Sequence, residues 1–281
     1  MKALIRPLFV SALSVVTLFL VANCANETAP ATVAGSYSGS SREFSRSSDS
    51  ITPWNRPTQQ GAEAVKPSIP HRPGLATVAG SETWSPVQNG WFHRKSGGAP
   101  DAVDSFHYND ETGAKAMMEP LGGGSRHGGL FEVAGNRLKA GLVAYGDELS
   151  RLEKQGQRVV MGTPSQQFEI RLKNTSKHRV EAVVSVDGLD VLDGQAASVR
   201  KPGYVLEAGQ EYTIQGFRKN RENVKQFVFG AVSDSAAAKQ GQARNVGVVG
   251  LAVYEEDEVA AKAEQFAEAF KRTGASAFPR N

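Results

Sequence analysis

The tightest constraint on this chain lies between residues 166 and 255, where apolar and polar side chains alternate over short runs that end at turn residues. Phe168, Ile170 and Leu172 are separated by Glu169 and Arg171, the period of two that turns one face of a strand toward a core. Asn174-Thr-Ser-Lys-His178 reads as a turn and residues 180–186 as the returning strand. Asp187-Gly188 and Asp193-Gly194 bracket a short apolar piece. Asp-Gly is a favoured tight-turn pair because glycine accepts positive φ. Further strands are expected at 204–206, 212–217, 227–232 and 246–254. The last of these is nearly continuous in apolar residues, which predicts a central strand covered on both faces. Its Gly247 and Gly250 permit close approach of a neighbour. Short strands broken by turns in this way predict a mainly β fold, an antiparallel β-sandwich or jelly-roll-like domain.

A C-terminal amphipathic helix is expected to follow. Acidic residues from Glu255 to Glu258 open it, Val259, Ala263, Phe266, Ala267 and Phe270 form one apolar stripe, and Lys271-Arg272 with Gly274 close it. The charges on its outer face are of mixed sign, so the stripe is expected to pack on the core and not to enter a membrane. Residues 82–157 form a mixed leading part of the folded region. Trp84, Trp91-Phe92, 106–108 and 141–145 read as short strands, the glycine-rich run 122–129 as a loop, and 147–155 as helical. The expected organisation is 1–23, 24–81, 82–157, 158–256 as the β core, and 257–281 as helix and tail.

The N-terminus reads as an export signal. Lys2 and Arg6 precede an apolar run from Leu8 to Ala22 that Ser11, Ser14 and Thr17 interrupt. It is shorter than the roughly 20 residues of a spanning helix and suits a secretory signal. The run ends in Val21-Ala22-Asn23-Cys24, which resembles the lipobox of bacterial lipoproteins, although Asn23 stands where that pattern prefers Gly, Ala or Ser. The resemblance implies that Cys24, the single cysteine of the chain, becomes the lipidated first residue after cleavage, and Ala25 beside it implies the outer membrane. The alternative is an ordinary secretory cleavage that leaves Cys24 free. Residues 24–81 then read as a disordered tether. Eight serines fall in the fifteen residues 36–50, and Pro53, Pro57, Pro67, Pro70 and Pro73 follow, a composition that buries too little apolar surface to order. Such a tether would span very roughly 40 Å. Loss of the signal takes two of the 32 basic residues, leaving 30 against 29 acidic ones. That balance offers no footprint for nucleic acid.

Four motifs, Val186-Asp-Gly-Leu-Asp-Val-Leu-Asp-Gly194, Gly203-Tyr-Val-Leu206, Ile214-Gln-Gly-Phe-Arg-Lys219 and Val246-Gly-Val-Val-Gly-Leu-Ala-Val-Tyr254, together resemble a group of uncharacterised exported proteins and lipoproteins of Gram-negative bacteria. The resemblance covers about ninety residues. It implies an envelope location and supplies no active site.

Candidate chemistry is sparse. Asp187, Asp190 and Asp193 lack the alternate-position spacing and closing glutamate of a calcium loop and read as turn formers. No HExxH pair occurs among the five histidines, and His107 with Asp104 and Asp110 comes nearest to a metal set. No G-x-S-x-G elbow is present, and Ser235 has no evident histidine partner. The loop carrying Arg126 and His127 lacks the strand-to-helix setting of a phosphate loop. No catalytic residue, metal or cofactor is therefore expected. Two groups invite a binding reading. Arg218, Lys219 and Arg221, with Lys225 beyond, follow an expected strand end. They either pair with carboxylates or phosphates of an envelope polymer or partner protein or form a solvated basic turn partly neutralised by Glu222. Trp84 and Trp91 either stack on sugar rings or anchor the leading segment. The expected function is a membrane-anchored, non-enzymatic binding or structural module of the cell envelope. The alternatives are a carbohydrate- or peptidoglycan-binding module and an envelope hydrolase with an unrecognised site.

Overall fold

The computed structural model describes residues 31–34 and 72–276; the export signal, Cys24 and most of the expected tether lie outside them. Two antiparallel-rich sheets face each other. The larger runs, in spatial order, through Val87–Gly90, Ala31–Ala34, Tyr204–Leu206, Val180–Val186, Val248–Glu255, Ala102–Asn109, Gln157–Met161, Arg151–Lys154 and Ser125–His127. The smaller runs through Gly216–Arg218, Asn223–Ala231, Gln167–Asn174, Leu138–Ala144 and Phe131–Val133, and Leu75–Trp84 pairs with Asn223–Ala231.

The period of two holds where it was clearest. Phe168, Ile170 and Leu172 are buried while Glu169 and Arg171 are partly open. On the inner face of the smaller sheet Phe168 stacks on Phe229 at 4.1 Å and on Phe227 at 5.3 Å, Phe217 meets Phe227 edge-on at 5.0 Å, and Tyr108 of the larger sheet reaches Phe229 at 5.4 Å. Val248–Glu255 lies between Val180–Val186 and Ala102–Asn109, the central position expected of it. Val249, Leu251 and Val253 join the main core, while Ala252 and Tyr254 pack with Val183 and Phe92 on the opposite face. A helix at Glu111–Met118, capped by Asp110 accepting from the Gly113 amide at 2.7 Å, covers another part of that face with Ala114 and Met118. Gly203, opening Tyr204–Leu206, is required by close approach: a Cβ there would fall 2.4 Å from the Ala182 carbonyl oxygen.

Several expectations are corrected. The tether does not reach Ser81, because Leu75–Trp84 is a ten-residue strand whose Leu75, Ala76 and Thr77 are buried and whose backbone completes a ladder. Residues 31–34 also pair into the larger sheet. The expected helix at 147–155 is instead strand: Arg151–Lys154 turns through Gln155 and Gly156, at φ 51° and 79°, into Gln157–Met161. The spacing of Leu149 and Leu152 satisfied a helical period, but the positive-φ turn and the buried Arg151 decide for a hairpin. Within 122–129, Ser125–His127 forms a short strand. The expected strand 212–217 divides at Gln215, with Glu211–Ile214 paired to Gln167–Asn174 and Gly216–Arg218 to Asn223–Ala231. The C-terminal helix, Glu258–Thr273, forms but does not pack on the core: Val259, Phe266 and Phe270 are 79%, 76% and 78% exposed.

Asp187 and Asp190 are more than turn formers, since both are buried. Asp190 accepts the Leu192 amide at 2.8 Å, and burial pushes its carboxyl up to about 6. A folded-state value above the unfolded one adds stability that is complete below the unfolded value and is lost as pH rises through the folded one. Stability should therefore fall between about pH 4 and 6 by up to roughly 3 kcal/mol from this group. Asp190→Asn, which keeps an acceptor for Leu192, is expected to be more stable than the parent at pH 7 and to flatten that slope. Denaturant titrations at pH 4.5 and pH 7 measure both.

Candidate functional site

Two surfaces gather chemistry-bearing side chains. The first is the open end of the smaller sheet. The pairing of Leu75–Trp84 with Asn223–Ala231 places Trp84 opposite Asn223 and Glu82 opposite Lys225, with a register irregularity between Lys225 and Phe227. Directly opposite residues on an antiparallel pair share a face, so Trp84, Asn223, Glu82 and Lys225 form one patch. Trp84 is 70% exposed. The Lys219 ammonium reaches the Glu82 carboxylate at 2.7 Å. The turn that carries Lys219 and Arg221 is held by Asn220, whose Oδ1 accepts the amides of Glu222 and Asn223 at 2.9 and 2.8 Å. It is tied to the chain beyond Trp84 by the Ser85 amide donating to the Glu222 carbonyl and the Val87 amide to the Arg221 carbonyl. Tryptophan and cations thus stand on hydrogen-bonded backbone. Arg221 and Lys225 are exposed, and neither enters an ion pair with a described residue.

Arg218 does not belong to this patch. It is 4% exposed and points inward with Val224, its cross-strand neighbour. Its guanidinium donates to the Ser85 carbonyl at 2.7 Å and the Asn220 carbonyl at 3.1 Å. The sequence placed four cations together, but Arg218 lies on a strand buried along its whole length, where its work is to tie the 85–87 and 219–222 segments together.

The second surface is a cleft of about 540 Å³ lined by Phe92, His93, Arg94, Glu181, Pro202 and Asp257, among others. The Arg94 Nε donates to Glu181 at 2.6 Å and Nη2 donates to it at 3.0 Å. Glu181 is fully buried and also accepts the Gly203 amide at 2.6 Å. Nη2 further donates to the Lys201 carbonyl at 2.6 Å, and the guanidinium lies 3.8 Å over the Tyr254 ring. Asp257 accepts the amides of Val259 and Ala260 as the cap of the C-terminal helix. The ionised groups of the cleft are therefore occupied in holding its walls together. The buried Nε2 of His93 has no hydrogen-bond partner among the described residues. Trp91, 75% exposed, sits at this end of the molecule, its carbonyl accepting from Arg179 at 3.4 Å. The two tryptophans are thus on different features, and only Trp84 joins the basic patch.

The remaining candidates have structural partners. Asp104 receives Arg158 at 2.8 Å and the Ala134 amide, while Asp110 caps a helix, so neither is gathered around His107. No group of three or more His, Cys, Asp or Glu placed to hold a metal occurs among the described residues. Ser235 is buried, its hydroxyl donating to the Val232 carbonyl and accepting the Ala238 amide as the cap of Ala236–Lys239. Arg126 pairs with Glu111 at 2.8 Å, and His127 is exposed. None of the described helices is long and apolar enough to cross a membrane. Compared with known proteins, the chain matches no family model, no curated protein and no solved structure.

Proposed function

We propose that the protein is a lipid-anchored, non-enzymatic binding module of the bacterial outer membrane, acylated at Cys24, whose contact face is the Trp84 patch. The observation that carries this reading is a tryptophan 70% exposed on a two-strand ladder beside exposed Lys225 and Arg221. An exposed large aromatic needs a reason that an exposed aliphatic does not. An indole face stacks on the apolar face of a sugar ring, and neighbouring cations pair with carboxylates or phosphates. An anionic envelope glycan offers both. The patch is preorganised, so little ordering entropy opposes binding. Only residues 25–30 separate Cys24 from the strand Ala31–Ala34, at most about 20 Å of chain, so an acylated Cys24 would hold the folded body close to the membrane.

One experiment with two arms tests this. Purified cell-wall polymer is expected to co-sediment the protein, with Trp84→Ala weakening binding by about tenfold or more and Trp91→Ala changing it little. Equal recovery of Trp84→Ala and the parent, or no recovery of either, would overturn the contact face. In the second arm Cys24→Ser is expected to leave the membrane fraction and to lose the mass of its acyl chains. Unchanged fractionation and mass would sink the anchor.

A further inference from the structure

The C-terminal helix has an apolar seam that no described residue covers. A sixteen-residue helix is marginal alone in water and draws most of its stability from packing one face. Here no residue of Glu258–Thr273 is buried. Val259, Ala263, Phe266 and Phe270 recur at spacings of four, three and four, the narrow stripe of a helix–helix seam. Ala260, Ala267 and Ala269 flank it, so another helix can approach closely. A bilayer is a poor occupant. The rest of the surface mixes Glu258, Glu264 and Glu268 with Lys262, Lys271 and Arg272, where a membrane-surface helix carries a mostly basic polar face.

We infer that this helix is a self-association element that pairs antiparallel with the same helix of a second copy. The fit of the seam to itself and the charges at the helix ends choose partner and direction. Asp257 and Glu258 stand at one end and Lys271 and Arg272 at the other, away from the seam: Asp257 caps its own helix, Glu258 meets His178 at 2.6 Å, and Lys271 and Arg272 meet Glu268. Antiparallel copies set the acidic end of one helix beside the basic end of the other. The pairing is centred between residues 264 and 265. The same register sets Phe270 against Val259 and Phe266 against Ala263, large against small. Parallel pairing would oppose phenylalanine to phenylalanine and like charge to like charge. Opposed helix dipoles favour the same choice. Such a seam buries on the order of 1,000 Å² in all, the size of a weak, reversible interface. Anchoring copies on one membrane would raise their effective concentration. The inference rests on the helix alone and stands apart from the Trp84 patch.

Sedimentation equilibrium of the exported chain carrying Cys24→Ser, which removes any acyl contribution, tests it. A reversible monomer–dimer equilibrium is expected, with Kd on the order of 10 µM. Phe266→Glu combined with Phe270→Glu is expected to weaken it by at least about a hundredfold and to leave the denaturation midpoint of the β body unchanged. In an equimolar mixture of Lys262→Cys and Ala269→Cys chains, oxidation is expected to give mainly the crossed disulfide. A monomer at every concentration, a dimer indifferent to the double glutamate variant, or binding to anionic lipid vesicles without dimerisation would overturn the proposal. A predominance of 269–269 disulfides would overturn its antiparallel direction.

Discussion

Asp187→Ala is expected to destabilise the folded body by about 3–5 kcal/mol, a fall in Tm of about 10 °C for a domain of this size. Asp187 is 1% exposed and sits where three parts of the molecule meet. Its Oδ1 accepts the Tyr108 hydroxyl at 2.6 Å and the Gly247 amide at 2.8 Å, and its Oδ2 accepts the Thr77 amide at 2.7 Å. Thr77 belongs to the smaller sheet, Tyr108 to the larger, and Gly247 leads into the central strand. Burial holds the carboxyl above its ordinary range, and these donors offset that only in part. Alanine would leave two amides without an acceptor and would let the Tyr108 hydroxyl keep only its 2.7 Å contact with Thr77 Oγ1. Each buried group left unsatisfied costs about 1–3 kcal/mol. Alanine would also have to hold φ at 55°, a left-handed conformation that aspartate tolerates better. Asp187→Asn keeps one acceptor and turns an amide toward a donor, so an intermediate loss of about 1–2 kcal/mol is expected. Denaturant titration of the series checks the order. A loss below about 1 kcal/mol for alanine would show that the sheets are held together elsewhere.

This residue also marks the boundary of what the sequence displayed. Val186-Asp-Gly188 announced a tight turn, and the positive φ of both Asp187 and Gly188 confirms that local chemistry. That the carboxylate points inward, to donors 110 and 79 residues away in the chain, leaves no mark on local composition. The same division runs through the fold. Strands whose alternation faces one core, such as Gln167–Asn174 and Val180–Val186, were legible because the pattern is the burial. Leu75–Trp84 was hidden: beyond its buried first three residues it runs along the surface, and its alternation is faint beside the neighbouring prolines. Glu111–Met118 had no reading because only Ala114 and Met118 on it are buried. At the candidate site, Trp84, Arg221 and Lys225 were each visible as residues. Their convergence depends on the pairing of strands about 140 positions apart, and the departure of Arg218 on the burial of its whole strand.

The second large effect is expected at the floor of the cleft, where Arg94→Ala should cost about 3–5 kcal/mol by stranding a buried carboxylate. Glu181 lies on a central strand with 1% of its side chain exposed, and Arg94 supplies its only ion pair among the described residues. The pair need not be intrinsically stabilising, because desolvation of two charges consumes most of their attraction. Removing one partner nonetheless leaves the other's desolvation uncompensated. Arg94 also clasps the loop around Lys201 through that carbonyl and covers the Tyr254 ring, whose hydroxyl donates to the Val199 carbonyl at 2.6 Å. Its loss should therefore free the 91–98 and 199–203 segments together, read as faster amide exchange in both. The pH dependence separates the two contributions. In Arg94→Ala the unpaired Glu181 should have a raised folded-state carboxyl, so the deficit should shrink as pH falls and the carboxylate takes up a proton. Replacing both residues by methionine should recover most of the lost stability, although it would not restore the clasp on residues 199–203. A deficit independent of pH, and equal in the single and double variants, would assign the whole effect to packing over Tyr254 and none to the buried charge.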